Sequence, residues 1–230
     1  EYYCAYWNYE DNMNFTEKLF KHLLHTVNGG LELAYAGTTI SFEGAWPRIS
    51  LREAIARDCR IDVDQFDTRE ALLAEINRQG ISFEDDVDVD KAGRATLIDL
   101  LYKKVSRPKM IDPVFVMHHP IDMSPLARKN DNDPSVVDRF QLVINGWEML
   151  NAYSELVDPV DQAQRFKEQA AARAHGDEDA MEVDYDFLKC MEYGMPPISG
   201  WGMGIDRVVA LLTNAQTLRD VVLFPLLRPE

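Results

Sequence analysis

A chain of 230 residues, 46% of them apolar, can bury a sizeable core without disulfide or metal staples. Its 39 acidic against 24 basic side chains give a net charge of −15, which argues against non-specific adhesion to nucleic acid or anionic membranes. No apolar run approaches the roughly 18 residues needed to cross a bilayer, and three widely spaced cysteines (Cys4, Cys59, Cys190) form neither a disulfide framework nor a CxxC knuckle, so a reducing, cytoplasmic setting is expected.

The chain opens on EYYCAYWNYE, in which Tyr2, Tyr3, Tyr6, Trp7 and Tyr9 are aromatic. Such a stretch predicts a strand covered on both faces inside a sheet, and so dense a start is expected of a fragment of a longer protein. MNFTEKLFKHLLHTVNGG places Phe15, Leu19, Leu23 and Leu24 at helical spacing and stops at Gly29-Gly30. LELAYAGTTISF alternates about a turn near Gly37 and predicts a hairpin. Ser50 followed by Glu53 is a capping box for the helix SLREAIARD. TREALLAEINRQG predicts a short helix closing at Gly80, FEDDVDVD a solvated connector, KAGRATLIDLLYKKV a longer helix and PVFVMHHP a short buried strand. The histidines show no HxH or HxxxH spacing, and their only adjacent pair is His118-His119, which argues against a zinc site.

DRFQLVINGWEMLNAYSEL is the clearest β signal, with two alternating runs about Asn145-Gly146. Asp158-Pro159 supplies an N-cap and a first-turn proline for PVDQAQRFKEQAAARA. A helix YDFLKCMEYG, a turn and strand MPPISGWGMG, a helix IDRVVALLTN and a last segment TLRDVVLFPLLRP complete the chain. Hairpins and helices mix without βαβ alternation, so an α+β fold is expected, mainly an antiparallel sheet flanked by helices.

Gly200, Gly202 and Gly204 give G-x-G-x-G between a strand and a helix. The dinucleotide fingerprint is G-x-G-x-x-G, and too little chain follows Gly204 for the rest of such a unit. The Gly-Lys-Ser/Thr of a phosphate loop is absent. Two readings stay open: close packing of a helix on a glycine strand, or a nucleotide floor. Arg207, in the first turn of an otherwise apolar helix, favours the second, since a guanidinium there can grip phosphate or stack on a base. Asp206 is its alternative partner.

On strict alternation Asn151, Tyr153 and Glu155 share one face of their strand and Glu148 lies on the other. A carboxylate and an amide on one face can read an ammonium group, Glu155 by charge and Asn151 by hydrogen bond.

NAYSELVDP, SPLARKNDNDP, SGWGMGIDRVVALLTN and LRDVVLFPLLRP together closely resemble class II lysyl-tRNA synthetases, over essentially the whole chain. GWGMGIDR resembles motif 3 of the class and EYYCAYWNYED the tail of motif 2. The resemblance implies an antiparallel sheet of six or seven strands that binds ATP in a bent form. It places Glu1 and Tyr3 on positions that contact lysine, and Asn151 and Glu155 on positions that bind the lysine substrate, with Glu155 facing the ε-ammonium. It places Glu148 on a carboxylate that holds Mg²⁺ with ATP, Gly202 and Gly204 along the nucleotide site, and Arg207 against the nucleotide as the catalytic arginine of motif 3. If Glu148 and Asn151 both face the site, a β-bulge or twist between them is expected.

The resemblance also implies lysine, ATP and tRNA(Lys) as substrates, a homodimeric full-length protein with no membrane role, and a small helical insertion at about 66–105 within a catalytic domain spanning 1–230. The family has a second metal-binding glutamate where this chain has Gln141, and a neutral amide is the weaker Mg²⁺ ligand. The anticodon-binding domain, motif 1 and the motif 2 arginine would lie upstream of Glu1, so the 230 residues alone are expected to show little adenylation. Two other readings remain. A paralogue that lysylates an elongation factor has alanine at the position of Gly202. A non-catalytic binding module on the same fold would explain Gln141. An aspartate or asparagine enzyme would need a cationic reader where this chain has Glu155.

Overall fold

The computed structural model describes residues 1–83, 89, 92–174 and 181–225. A six-stranded sheet runs in the order β1-β8-β7-β6-β5-β4, built from β1 (Tyr2–Ala5), β4 (Arg48–Ser50), β5 (Val114–Met117), β6 (Arg139–Ile144), β7 (Trp147–Ser154) and β8 (Ile198–Met203). All pairings are antiparallel except the parallel β4–β5 pair. The hairpin of β2 (Glu32–Tyr35) and β3 (Thr38–Ser41) forms a separate two-stranded ribbon. The helices are α1 (Tyr9–Val27), α2 (Leu51–Cys59), α3 (Arg69–Arg78), α4 (Arg94–Val105), α5 (Pro159–Ala174), α6 (Tyr185–Glu192) and α7 (Ile205–Leu212). This is the expected α+β architecture. Among the described residues no helix is long and apolar enough to cross a membrane.

Two apolar clusters divide the sheet. On one face Phe115, Phe140, Leu142, Leu150, Ala152 and Trp201 pack against α1, the β2–β3 ribbon and α7. On the other, α2, α3 and α4 cover only the β4–β5–β6 end, through Val116 and Val143. The β6–β7–β8–β1 part of that second face carries polar side chains and glycines, and it is there that the candidate site lies.

Local chemistry explains most of the boundaries. Ser50 and Glu53 cap α2 reciprocally, with Glu53 N–H on Ser50 Oγ at 3.1 Å and Ser50 N–H on Glu53 Oε2 at 2.9 Å. Asp158 accepts from Val160 N–H at 2.8 Å at the start of α5. Asn145 and Gly146 both have positive φ, 49° and 73°, as a two-residue hairpin turn with the right twist requires.

Two expectations need correction. The N-terminal strand ends at Ala5, and α1 begins at Tyr9 rather than near Met13, because Asn8 and Asp11 form a second capping box, with Asp11 N–H on Asn8 Oδ1 and Asn8 N–H on Asp11 Oδ2, both at 3.0 Å. Within the described residues β1 is an edge strand with alternating cover, and Tyr3 is 57% exposed, so its two faces are not both buried. The three-residue β4, just before the α2 cap, has no expectation to match it. The connector FEDDVDVD lies largely outside the described residues, as do Lys91 and the end of the last segment.

Candidate active site

The β6–β7 pairing changes step between Leu142 and Val143: Leu142 faces Leu150, but Val143 faces Glu148, leaving Met149 as the extra residue. This is the expected bulge. It turns the three-residue step from Glu148 to Asn151 into a same-face relation, and Gln141 and Glu148 meet, with Gln141 Nε2 donating to Glu148 Oε2 at 2.9 Å. Gln141 Oε1 is buried and has no partner among the described residues.

The register then assembles the rest of the face. Asn151 pairs with Gly202, Tyr153 with Gly200, and Tyr3 with Gly200 from the other side. Glu155 follows β7 and is only 8% exposed. Its Oε1 has no hydrogen-bond partner among the described residues. Burial pushes its carboxyl up to about 8; the Gly200 backbone N–H opposes the shift and the Glu1 carboxylate adds to it. Glu1 Oε1 accepts from the Tyr3 hydroxyl at 3.0 Å. That hydrogen bond, then burial, then the Glu155 charge raise the Tyr3 phenol. Burial, then Glu155 and Tyr3, push Tyr153 up to about 12. The corner is therefore a set of phenols and carboxyls in which added negative charge is unfavourable and added positive charge is welcome.

The glycines are not equivalent. A Cβ at Gly200 would collide with Glu155 Oε1 and lie 2.9 Å from Tyr3 Cε1, so its absence seats the Glu155 carboxyl and the Tyr3 ring. A Cβ at Gly202 would meet nothing closer than the Asn151 carbonyl, at 3.9 Å. Neither packing nor backbone angle requires glycine there, and the position leaves the floor flat beneath whatever occupies the face. Gly204 precedes α7, donates its N–H to Met149 O at 2.9 Å, and would hold a Cβ 3.5 Å from the Arg207 side chain.

Arg207 is exposed rather than buried, and it pairs with no carboxylate among the described residues. Its Nη1 donates to the Glu148 carbonyl at 2.6 Å, so the backbone at the bulge, not Asp206, holds the guanidinium. Glu148 thus lies between Gln141 on one side and Arg207 on the other. A cavity of about 370 Å³ between the sheet and α4 is lined by Arg139, Gln141 and Glu148 on its sheet side.

Sequence reasoning missed Arg139. Its Nε donates to Asn151 Oδ1 at 2.9 Å, and its Nη1 to Ser124 Oγ at 2.8 Å and Met123 O at 3.1 Å. Arginine has donors only, so Asn151 must turn its oxygen toward it and its NH₂ toward the open face. One lone pair of that oxygen is therefore taken by Arg139, which leaves the amide NH₂ as a donor suited to a carboxylate. Only the i, i+12 register of the hairpin brings Arg139 beside Asn151, which one-strand alternation does not reveal. The structure therefore brings Glu1, Tyr3, Asn151, Glu155, Glu148, Gln141, Gly202 and Gly204 onto one side of the sheet, with Arg207 at its rim.

Residues 1–228 match the family described as tRNA synthetases class II (D, K and N). The lysine–tRNA ligase of Thermosipho africanus is 44% identical over 229 residues, which cover 100% of this chain and 44% of that protein. The one from Fervidobacterium nodosum is 44% identical over 232 residues, with the same coverage. The one from Thermotoga maritima is 40% identical over 230 residues, again covering 100% and 44%. The chain spans less than half the length of these relatives.

Proposed function

The chain belongs to the class II tRNA synthetases of the D, K and N group, and from that membership we propose that it is part of the catalytic domain of a lysine–tRNA ligase. The full-length protein would activate lysine with ATP and pass it to tRNA(Lys). The observation that carries the choice of lysine within the group is Glu155: a buried carboxyl with an unpartnered oxygen, at the end of a polar face. A buried carboxyl that ionises beside an arriving cation suits a cationic side chain, and a carboxylate or a neutral amide would offer it no opposite charge.

In this reading the ε-ammonium meets Glu155, with Tyr3 and Glu1 beside it, and the proton on Glu155 is given up as the ammonium arrives. Asn151, oriented by Arg139, donates its NH₂ to the lysine carboxylate. Gly202 and Gly204 leave room for the nucleotide, and Arg207 closes on it. The lysine carboxylate attacks the α-phosphorus of ATP in line and pyrophosphate leaves; the terminal ribose of the tRNA then displaces AMP from the adenylate. No side chain becomes a covalent nucleophile, and the protein contributes positioning and charge.

Mg²⁺ fits the Glu148 carboxylate, a hard oxygen ligand; Gln141, whose Nε2 donates to Glu148 Oε2, would have to turn its amide to add Oε1. A single carboxylate suits an ion that keeps waters and phosphate oxygens as its other ligands. When bound, the ion neutralises charge on the phosphates. The helices α3 and α4 are read as an insertion of about 66–105, and the full-length protein as a homodimer.

Amino-acid-dependent ATP–pyrophosphate exchange by the full-length protein tests the proposal. Exchange with lysine alone is expected. Exchange with aspartate or asparagine instead would contradict it, and exchange with no amino acid would favour a binding module.

A further inference from the structure

A second cavity, of about 210 Å³, opens beyond Glu148, lined by Arg107, Gly146, Trp147, Glu148, Arg207 and Leu218. Its lining includes two arginines and Glu148. Arg207 is anchored on the Glu148 carbonyl. Arg107 is not anchored: its Nε is buried without a hydrogen-bond partner, and no acidic side chain pairs with it among the described residues. A buried guanidinium donor without an acceptor is costly unless a ligand supplies one. The phenol of Tyr102, also buried and unpartnered, lies close enough to feel the charges of Arg107 and Glu148.

The backbone holds Arg107 in place. It begins the 3-10 turn Arg107–Lys109 after α4. The segment that follows is fastened to the β6–β7 turn by Gly146 N–H on Met110 O and Asn145 N–H on Ile111 O, both at 2.9 Å. Pro108 Cα lies 3.4 Å from where a Cβ of Gly146 would sit. The backbone that carries Arg107 is therefore fastened to the hairpin turn, and Arg107 and Glu148, read above as the cation ligand, line the same cavity. With Gln141 where the family has a carboxylate, the adjoining face offers one ligand charge fewer to a cation, so less cation charge would be held against the phosphates of the nucleotide.

We infer that Arg107 is a polyphosphate-binding residue, which with Arg207 takes the pyrophosphate end of ATP and offsets the cation charge that Gln141 gives up. The geometry suits it, since guanidinium donors match phosphate oxygens and two from different elements can clasp one diphosphate. The identity of the polyphosphate rests on the lysine-ligase reading; the anion site itself does not.

Equilibrium binding of inorganic pyrophosphate to the full-length protein, with MgCl₂ varied, tests this without requiring turnover. Arg107→Ala should weaken pyrophosphate about tenfold, the loss of one or two charge-assisted hydrogen bonds. It should also raise the MgCl₂ concentration for half-maximal binding, and leave AMP and lysine affinities unchanged. Arg107→Lys should recover part of the loss. Gln141→Glu placed in the Arg107→Ala protein should restore pyrophosphate binding at high MgCl₂. Equal pyrophosphate affinity in wild type and Arg107→Ala would overturn the inference, as would a parallel loss for AMP, lysine and thermal stability, which marks a structural role. If lysine exchange fails while Arg107→Ala still weakens pyrophosphate selectively, the anion site stands and the ligase reading falls.

Discussion

Glu155 concentrates the energetics of the site. Its carboxyl is held up to about 8 in the folded chain, chiefly by burial, against an ordinary value near 4.3. Between those values the folded state binds more protons than the unfolded state, so stability falls as pH rises through that window. Glu155→Gln removes the titration. Urea denaturation should therefore show wild type losing stability relative to the variant between about pH 5 and pH 8, by on the order of 2 kcal/mol. Parallel pH profiles would mean that the carboxyl is not desolvated. On the lysine reading a bound ammonium would reverse the sign of the local field, and this would let an otherwise unfavourable residue persist there. Gly200 belongs to the same device, since only a residue without Cβ leaves space for the Glu155 carboxyl and the Tyr3 ring together.

At the scale of elements, the β6–β7 hairpin carries most of the site, and its turn is its most constrained point. Gly146 combines a φ of 73° with Pro108 Cα 3.4 Å from any added Cβ. Gly146→Ala should cost about 1–2 kcal/mol in the same denaturation experiment, from left-handed backbone strain and the displaced Pro108 segment; an unchanged midpoint would contradict the close packing. The Asn-Gly dipeptide made this hairpin legible, and Ser50–Glu53 did the same for α2, because in both the signal lies within four residues. The start of α1 was obscured because aromatic density outweighed the Asn8–Asp11 pair. β4 was invisible because three residues carry no period. The bulge at Met149 could be inferred only from the need to bring Glu148 and Asn151 together. Arg139 escaped altogether, since its function arises from cross-strand register, and the exposure of Arg207 reflects a backbone acceptor that no side-chain pattern announces.

For the whole molecule, one sheet serves two purposes. Its apolar face and the α2–α4 end supply the core, which frees the β6–β7–β8–β1 face to carry polar groups without loss of packing. The chain belongs to the D, K and N group, and on the proposed reading the buried carboxyl of Glu155 would select the amino acid within it. The net charge of −15 is compatible with the proposed cationic substrate, and relatives such as the Thermosipho africanus protein are more than twice as long as this chain. On the proposed reading the ammonium would be met at Glu1, Tyr3 and Glu155 and the phosphates at Glu148, Arg207 and Arg107, so the two substrates should be separable by mutation. The most direct test is the equilibrium affinity of full-length Glu155→Gln for lysine and for ATP, each measured alone. Lysine binding should weaken by about 10²-fold, the loss of a buried ion pair, with ATP binding within about twofold of wild type. Equal losses for both ligands, or lysine binding that survives the substitution, would contradict Glu155 as the reader of the ammonium group.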